Sequence, residues 1–138
     1  MNKGQIVEFM NNNPVFCLAS VEGNKPHVRG MLLYKASEDE ILFHTGKTKD
    51  LYKQLSVNPQ VELCFYSLKD NVQIRVSGKV ELIEDLELKK EVVANRDFMK
   101  PWVEKSGYDP LAIYRLKKGV VFVWTMATNF EPKEYIEF

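Results

Sequence analysis

Neither sign of charge is in excess in this sequence, because 19 basic and 19 acidic residues balance among its 138 residues. A neutral chain lacks the broad basic surface with which proteins capture nucleic acid or an anionic membrane. Long apolar runs are also missing: no segment approaches the roughly 20 residues of a membrane-spanning helix, and the N-terminus lacks the apolar core of a secretory signal. We therefore expect a cytoplasmic protein that binds neither nucleic acid nor membrane.

Cysteine and histidine are scarce, with two residues of each. The sequence has no Cys-x-x-Cys pair and no His/Cys cluster with the spacing of a zinc site, so we expect no bound metal. Cys17 and Cys64 lie in apolar, strand-like segments, which favours buried core thiols over a redox role. His27 and His44 lie in predicted strands near turns, where a structural role is more common than acid-base catalysis. We therefore assign no catalytic residue.

The apolar fraction of 45%, with aromatic residues at 12%, is typical of a folded globular protein. A length of 138 residues fits a single domain, 1–138, which is large enough for a core but small for enclosing a large ligand alone. A cofactor site would form more easily at a subunit interface.

Short β-branched and aromatic segments between turn-forming residues predict strands at 15–21, 27–34, 41–45, 61–66, 72–83, 111–116 and 120–126, with a short strand in the tail 132–138. Helical patterns occur at the N-terminus, after Thr48 as the predicted N-cap, and at 84–100, which Asp85 begins and Pro101 ends. Together they predict a mainly β fold, a six- to seven-stranded antiparallel β-barrel with flanking helices.

The stretch 26–59 gathers basic residues where a strand hairpin leads into a helix. Period-two alternation places Arg29 among apolar neighbours, where a cation needs a partner, and Gly30 leaves the opposite face open to a flat ligand. Three lysines surround the predicted helix start: Lys47, Lys49 and Lys53. Because helix N-termini favour anions, this corner suits a phosphate. The alternatives are a solvated lysine face and a strand glycine that only relieves packing.

Several segments occur in a characteristic order. The strand segment RGMLLY (29–34) is followed by the pair His44-Thr45 and by the loop Lys47-Thr48-Lys49; further on, Gln73 lies five residues before Gly78, and the segment YRL (114–116) begins ten residues before Trp124. This order, over about 6–124, resembles the pyridoxamine 5'-phosphate oxidase-like, FMN-binding split-barrel family. The similarity is greatest to its small bacterial flavoproteins, including nitroimidazole-reductase-like ones.

The resemblance implies a split barrel that binds FMN as a homodimer, with the flavin at the subunit interface. The residues that it implies for cofactor binding are Arg29, Gly30, Met31, Leu32, His44, Thr45, Lys47, Thr48, Lys49, Lys53, Gln73 and Trp124. The family lysine at the helix start falls at Leu51 in this chain, so Lys49 or Lys53 would replace it. Trp124 would lie near the flavin of the partner subunit.

The resemblance also implies an oxidoreductase that passes electrons from a reduced nicotinamide or another donor to a small-molecule acceptor. The alternatives are a flavin carrier without turnover, a barrel that binds deazaflavin or haem, and a protein-interaction barrel with an empty cleft. Pyridoxamine phosphate oxidase activity itself is not expected. The longer vitamin oxidases place a substrate-binding arginine beyond the tryptophan, whereas the tail NFEPKEYIEF contains none.

Overall fold

The computed structural model describes all residues, Met1–Phe138. Its helices are α1 (Lys3–Asn12), α2 (Asp50–Val57), α3 (Leu86–Ala94) and α4 (Lys100–Ser106), and a 3-10 turn (Asp97–Met99) precedes α4. Its strands are β1 (Val15–Glu22), β2 (Lys25–Ala36), β3 (Ile41–Gly46), β4 (Gln60–Ser67), β5 (Val72–Lys79), β6 (Glu81–Ile83), β7 (Leu111–Leu116), β8 (Gly119–Thr125) and β9 (Tyr135–Glu137). The predicted mainly β fold with flanking helices is confirmed.

All strand pairs are antiparallel, and the strands follow the order β6-β7-β3-β2-β1-β4-β5-β8-β9. Only Val80 separates β5 from β6 in the chain, although five of the nine strands lie between them in this order. The sheet must therefore curl until its distant parts meet, which makes it a barrel. Since β5 and β6 share no ladder, the barrel is split rather than fully closed.

Nine strands form where the sequence predicts six or seven. The predicted long strand 72–83 divides at Val80, whose amide N donates to the main-chain oxygen of Pro59 at 3.0 Å, and its two halves pair with different neighbours. The short strand predicted in the tail is present as β9, which pairs with β8. The division at Val80 arises from sheet pairing, which alternation along one segment does not encode.

The main core lies on the inner face of the curved sheet, where alternate strand residues meet. Phe16 stacks on Phe65 with ring centroids 4.7 Å apart, and Phe43 stacks on Tyr114 at 5.6 Å. Burial raises the pKa of Tyr114 to about 12. A smaller core, which includes Val92, packs α3 and the 3-10 turn against β3 and β7. The helical segment 86–106 therefore covers the outside of one side of the barrel.

The helix ends differ in part from the prediction. Asp85 caps α3 as predicted, because its side chain accepts hydrogen bonds from the amides of Glu87 and Leu88. Thr48 is not the N-cap of α2; Lys49 holds that position and provides no side-chain hydrogen bond. Pro101 lies in the first turn of α4 instead of ending a helix. Proline is tolerated there because the N–H groups of the first turn have no acceptor within the helix, so the missing N–H of proline removes no hydrogen bond. The longest helix, α1, has ten residues, and none has the length and apolarity to cross a membrane.

The two cysteines do not lie in the core, and that prediction is wrong. Cys17 and Cys64 are half-buried free thiols, and they alternate along β1 and β4 with buried residues that face inward. Both thiols therefore lie on the outer face of the sheet. The apolar segments around them misled the prediction, because apolar residues here occupy both faces.

Gly78 and Gly119 face each other where β5 pairs with β8. A Cβ atom on Gly78 would lie 2.7 Å from the main-chain oxygen of Lys118, whereas a Cβ on Gly30 would meet nothing within 4 Å. We expect Gly78→Ala to lower the free energy of unfolding by about 1–3 kcal/mol, because backbone must shift. Gly30→Ala is the control and should change it by less than about 1 kcal/mol. Urea unfolding measures the free energy of both variants. Equal losses would contradict the close backbone contact at Gly78.

Candidate functional site

The candidate site lies where β2 and β3 separate. The two strands pair at Ala36↔Ile41, Lys35↔Leu42 and Leu33↔Phe43, with a bulge between Leu33 and Lys35, and no pairing continues beyond Leu33. The segments 30–32 and 44–46 remain paired with β1 and β7 on their far sides. Between them, alternate residues direct main-chain N–H and C=O groups into the gap without a strand partner. The split therefore supplies a planar slot lined by hydrogen-bonding groups.

The gap opens into a cavity of about 440 Å³, here called the aromatic cleft. Its strand wall is formed by 30–32 and 44–46, and its opposite wall by the 3-10 turn and α4. Phe98 and Trp102 on that second wall are exposed by 50% and 61%, and their rings meet edge to face at 5.7 Å. Two exposed aromatic rings across from an open strand edge suit a flat, largely apolar ligand.

A second cavity, of about 590 Å³, continues from the first and is here called the cationic cleft. Gly30, Met31, Thr45 and Lys49 line both cavities. Arg29, Thr48 and the start of α2 line only the second. One groove therefore runs from the aromatic wall to a basic corner.

Arg29 is held in the cationic cleft by neutral partners. Its guanidinium donates to Ser20 Oγ at 2.8 Å, Gln54 Oε1 at 2.7 Å and the main-chain oxygen of Leu18 at 3.3 Å. Ser20 also donates to Gln54 Oε1 at 2.6 Å, and both side chains are buried. Burial lowers the pKa of Arg29, against an opposing effect of Asp50. No carboxylate is within ion-pair distance of Arg29, so its charge is available to an anionic ligand.

The N-terminus of α2 adds to this positive corner. Its N-cap, Lys49, leaves the first-turn amides without a side-chain acceptor, and the helix dipole is positive at this end. The Lys49 side chain is exposed and forms no ion pair. Asp50 is the one acidic residue in the cationic cleft. The two positive charges of Arg29 and Lys49 therefore exceed the single negative charge of Asp50, and the corner fits one phosphate group.

His44 lies in the aromatic cleft with its Nε2 atom buried and without a hydrogen-bond partner. Burial, helped by the charges of Arg96 and Lys49, lowers the pKa of His44 to about 4. The ring is therefore neutral near pH 7, and a bound ligand can complete the hydrogen bonding of Nε2.

The structure brings eight of the twelve predicted residues into the groove. Arg29, Gly30, Met31, Leu32, His44, Thr45, Thr48 and Lys49 line one or both clefts.

The other four predicted residues line neither cleft. Lys47 forms an ion pair with Glu84 at 2.7 Å, which raises the pKa of Lys47, and Lys53 is exposed on α2. Gln73 and Trp124 face each other across β5 and β8, with β1 and β4 between them and β2. Within one chain these two residues stand apart from the groove, and their role stays a prediction.

The family profile described as pyridoxamine 5'-phosphate oxidase matches residues 3–125. The chain belongs to this family. Among curated proteins it is similar to the pyridoxine/pyridoxamine 5'-phosphate oxidase of Pelagibacter ubique, with 26% identity over 85 residues. That match covers 62% of this chain and 41% of the relative, so the chain spans less than half the length of that oxidase.

Solved structures share the fold. A NimC/NimA family protein from Clostridium acetobutylicum superimposes with a TM-score of 0.75 at 22% identity, covering 100% of this chain and 94% of the other. A pyridoxamine 5'-phosphate oxidase-related, FMN binding protein from Nostoc punctiforme gives 0.64 at 19% identity, covering 98% and 94%. At these identities the likeness shows a common split-barrel architecture.

The sequence-based predictions did not include the second wall of the aromatic cleft or the side chains that bind Arg29. Phe98 and Trp102 are four residues apart in a helical segment, a spacing that places two aromatic rings on one face. That spacing was available as a signal. Ser20 and Gln54 gave none, because they lie 34 residues apart and meet only in the folded chain.

We expect His44 to make the fold less stable in mild acid. Its pKa falls from 6.5 to about 4 in the folded protein, so between these values the unfolded chain binds a proton that the folded chain does not. The contribution of His44 to the free energy of unfolding is therefore constant above pH 6.5. It falls as the pH decreases towards 4, by up to about 3 kcal/mol. Urea unfolding at pH 7 and pH 4.5 measures it. His44→Gln, which cannot take up a proton, should show a smaller loss than the wild type; equal losses would contradict the lowered pKa.

Proposed function

We propose that this protein binds FMN in the groove and serves as an oxidoreductase for a small-molecule acceptor. The observation that carries the proposal is the continuity of the β2–β3 slot with the cationic cleft. A flat ring fits the slot, and a phosphate fits the corner beyond it. The family profile supports a flavin ligand, and the relative from Nostoc punctiforme is described as FMN binding.

The phosphate of FMN would lie between Arg29, Lys49 and the first turn of α2. Two of the five guanidinium N–H groups of Arg29 have no protein partner, and the Thr48 hydroxyl lines the same cleft. Charge-assisted hydrogen bonds of this kind are among the strongest polar contacts in proteins. Lys47 is not part of the proposal, because Glu84 already neutralises it.

The ring of FMN would lie in the aromatic cleft. Unpaired main-chain groups of 30–32 and 44–46 would bind its polar edge, and Gly30 leaves room for its face. Neutral His44 would offer Nε2 to it, and Thr45 lines the slot beside it. Bound FMN supplies hydride and single-electron transfer, while the protein positions the ring and keeps water from it.

A second copy of the chain would complete this site. The outer face of an antiparallel sheet is usually polar, yet here Val15 and Val28 are exposed by 65% and 70%. Strand register places Val28, Gln73 and Trp124 on that same face. Packing this face against its copy would bury the apolar side chains and bring the partner's Gln73 and Trp124 towards the groove. We therefore propose a homodimer with the flavin at its interface.

A second candidate function is a flavin carrier without turnover. It is favoured by the chemistry of the aromatic cleft, where His44 is the one histidine, and its pKa of about 4 disfavours the protonated form near pH 7. Steady oxidation of reduced nicotinamide by the purified protein with any acceptor would exclude the carrier. The absorbance spectrum separates FMN from deazaflavin and haem.

We expect purified protein to be yellow, with about one FMN per chain. Arg29→Ala and Lys49→Ala should each raise the Kd for FMN roughly tenfold or more, because each removes a cation from the phosphate. Lys53→Ala, which removes an exposed lysine of the same helix, is the matched control and should leave the Kd unchanged. Flavin fluorescence titration of the apoprotein measures all three. A protein that takes up no added FMN would overturn the proposal.

Val28→Glu should convert the dimer to a monomer, because it replaces an exposed apolar side chain of the proposed interface with a charge. Leu68→Glu is the control, since Leu68 is exposed by 82% in the turn that joins β4 to β5, outside the strands themselves. Sedimentation velocity should show a dimer for wild type and Leu68→Glu alone. A dimer in all three proteins would contradict this interface.

A further inference from the structure

Gln54 is a buried residue of the cationic cleft, and only half of its amide group has partners. Its side chain is 5% exposed and lines the cleft. Its Oε1 atom accepts from the Arg29 guanidinium at 2.7 Å and from Ser20 Oγ at 2.6 Å. Both hydrogen bonds of the side chain use Oε1, so Nε2 has no partner within the chain. A ligand in the cleft can complete the hydrogen bonding of this buried amide.

The arrangement around Arg29 is rigid and has one possible polarity. Arg29 can only donate hydrogen bonds, so the Gln54 atom that faces it must be the oxygen. Ser20 closes a triangle, because its Oγ accepts from Arg29 at 2.8 Å and donates to Gln54 Oε1. Leu51 and Leu55 anchor α2 in the main core. One packed helix therefore fixes the guanidinium and also supplies the free first-turn amides of the positive corner.

The neutrality of Gln54 preserves the positive charge of the cationic cleft. Arg29 and Lys49 against Asp50 leave one net positive charge among these three side chains. The change Gln54→Glu would keep an acceptor for Arg29, but it would bring that net charge to zero and add a carboxylate to the cleft. For an uncharged ligand a carboxylate would fix Arg29 equally well. An amide at this position therefore favours an anionic ligand.

We propose that Gln54 and Ser20 make the groove select the phosphorylated flavin, FMN, over riboflavin. Gln54 positions Arg29 without cancelling its charge and offers its free Nε2–H groups to a phosphate oxygen, and Ser20 fixes both side chains. This inference rests on the proposed function, because it concerns the phosphate end of the same flavin site. It adds that selectivity depends on two buried neutral residues as well as on the cations.

The experiment measures the Kd of the full chain, freed of bound flavin, for FMN and for riboflavin, which lacks the phosphate. We expect the wild type to bind FMN roughly a hundredfold more tightly, because riboflavin makes no charge-assisted hydrogen bonds in the cationic cleft. In Gln54→Glu this preference should fall about tenfold or more, while the Kd for riboflavin changes less than about threefold. A damaged fold would weaken both flavins alike, and an equal loss for both would overturn the proposal.

Two further variants separate the charge from the hydrogen bonds. Gln60→Glu is the matched control, because Gln60 is exposed and lines neither cleft; it should keep the wild-type preference for FMN. Gln54→Met removes the hydrogen bonds without adding charge, so its preference should lie between those of the wild type and Gln54→Glu. A preference as low in Gln54→Met as in Gln54→Glu would contradict the role assigned to neutrality.

The same titrations distinguish two failures. A wild type that binds neither flavin would refute the proposed function, and the inference about Gln54 would fall with it. A wild type that prefers FMN, together with a Gln54→Glu variant that keeps this preference, would refute the inference about Gln54 alone.

Discussion

The separation of β2 from β3 is the constraint on which the rest of the site depends. Strand pairing ends at Leu33 and Phe43 after a bulge, and Arg96 secures this point by donating to the Leu33 main-chain oxygen at 2.6 Å. The Arg96 guanidinium also lies 5.5 Å from the Tyr34 ring centre. Because Arg96 directly precedes the 3-10 turn, the same contact positions Phe98 and Trp102. One anchored split thus sets both walls of the aromatic cleft.

The net charge of the groove depends on whether each nearby cation is paired with a carboxylate or with neutral groups. Glu84 binds Lys47 at 2.7 Å and buried Lys89 at 3.0 Å, so both lysines are neutralised and Lys47 links the loop after β3 to the segment that leads into α3. Arg29 instead depends on Ser20 and Gln54, which satisfy its hydrogen bonds without cancelling its charge. A guanidinium fixed by neutral groups is preorganised for an anion, because binding requires little further ordering.

The sequence predicted much of this arrangement, and two of its errors share one cause. Alternation located seven strands and the tail, and the corner around Arg29, Gly30 and Lys49 forms as expected. Lys47 was predicted beside a phosphate but is bound to Glu84, 37 residues later in the chain. The cysteines were predicted in the core but lie on the outer face. These two errors concern which distant segment a residue meets, or which face it occupies, and local patterns contain neither.

By itself, the sequence determined where the strands and helices form and which side chains they carry. Apolar alternation, turn residues and capping by Asp85 act over a few residues, so local steric and hydrogen-bond preferences are enough to set them. Only the tertiary structure decided that β2 and β3 part at Leu33, that Ser20 and Gln54 hold Arg29, and that Cys17 faces Cys64. These outcomes depend on strand register and on the curl of the whole sheet. Register is a balance of contacts between segments far apart in the chain, so it emerges only when all of them pack together.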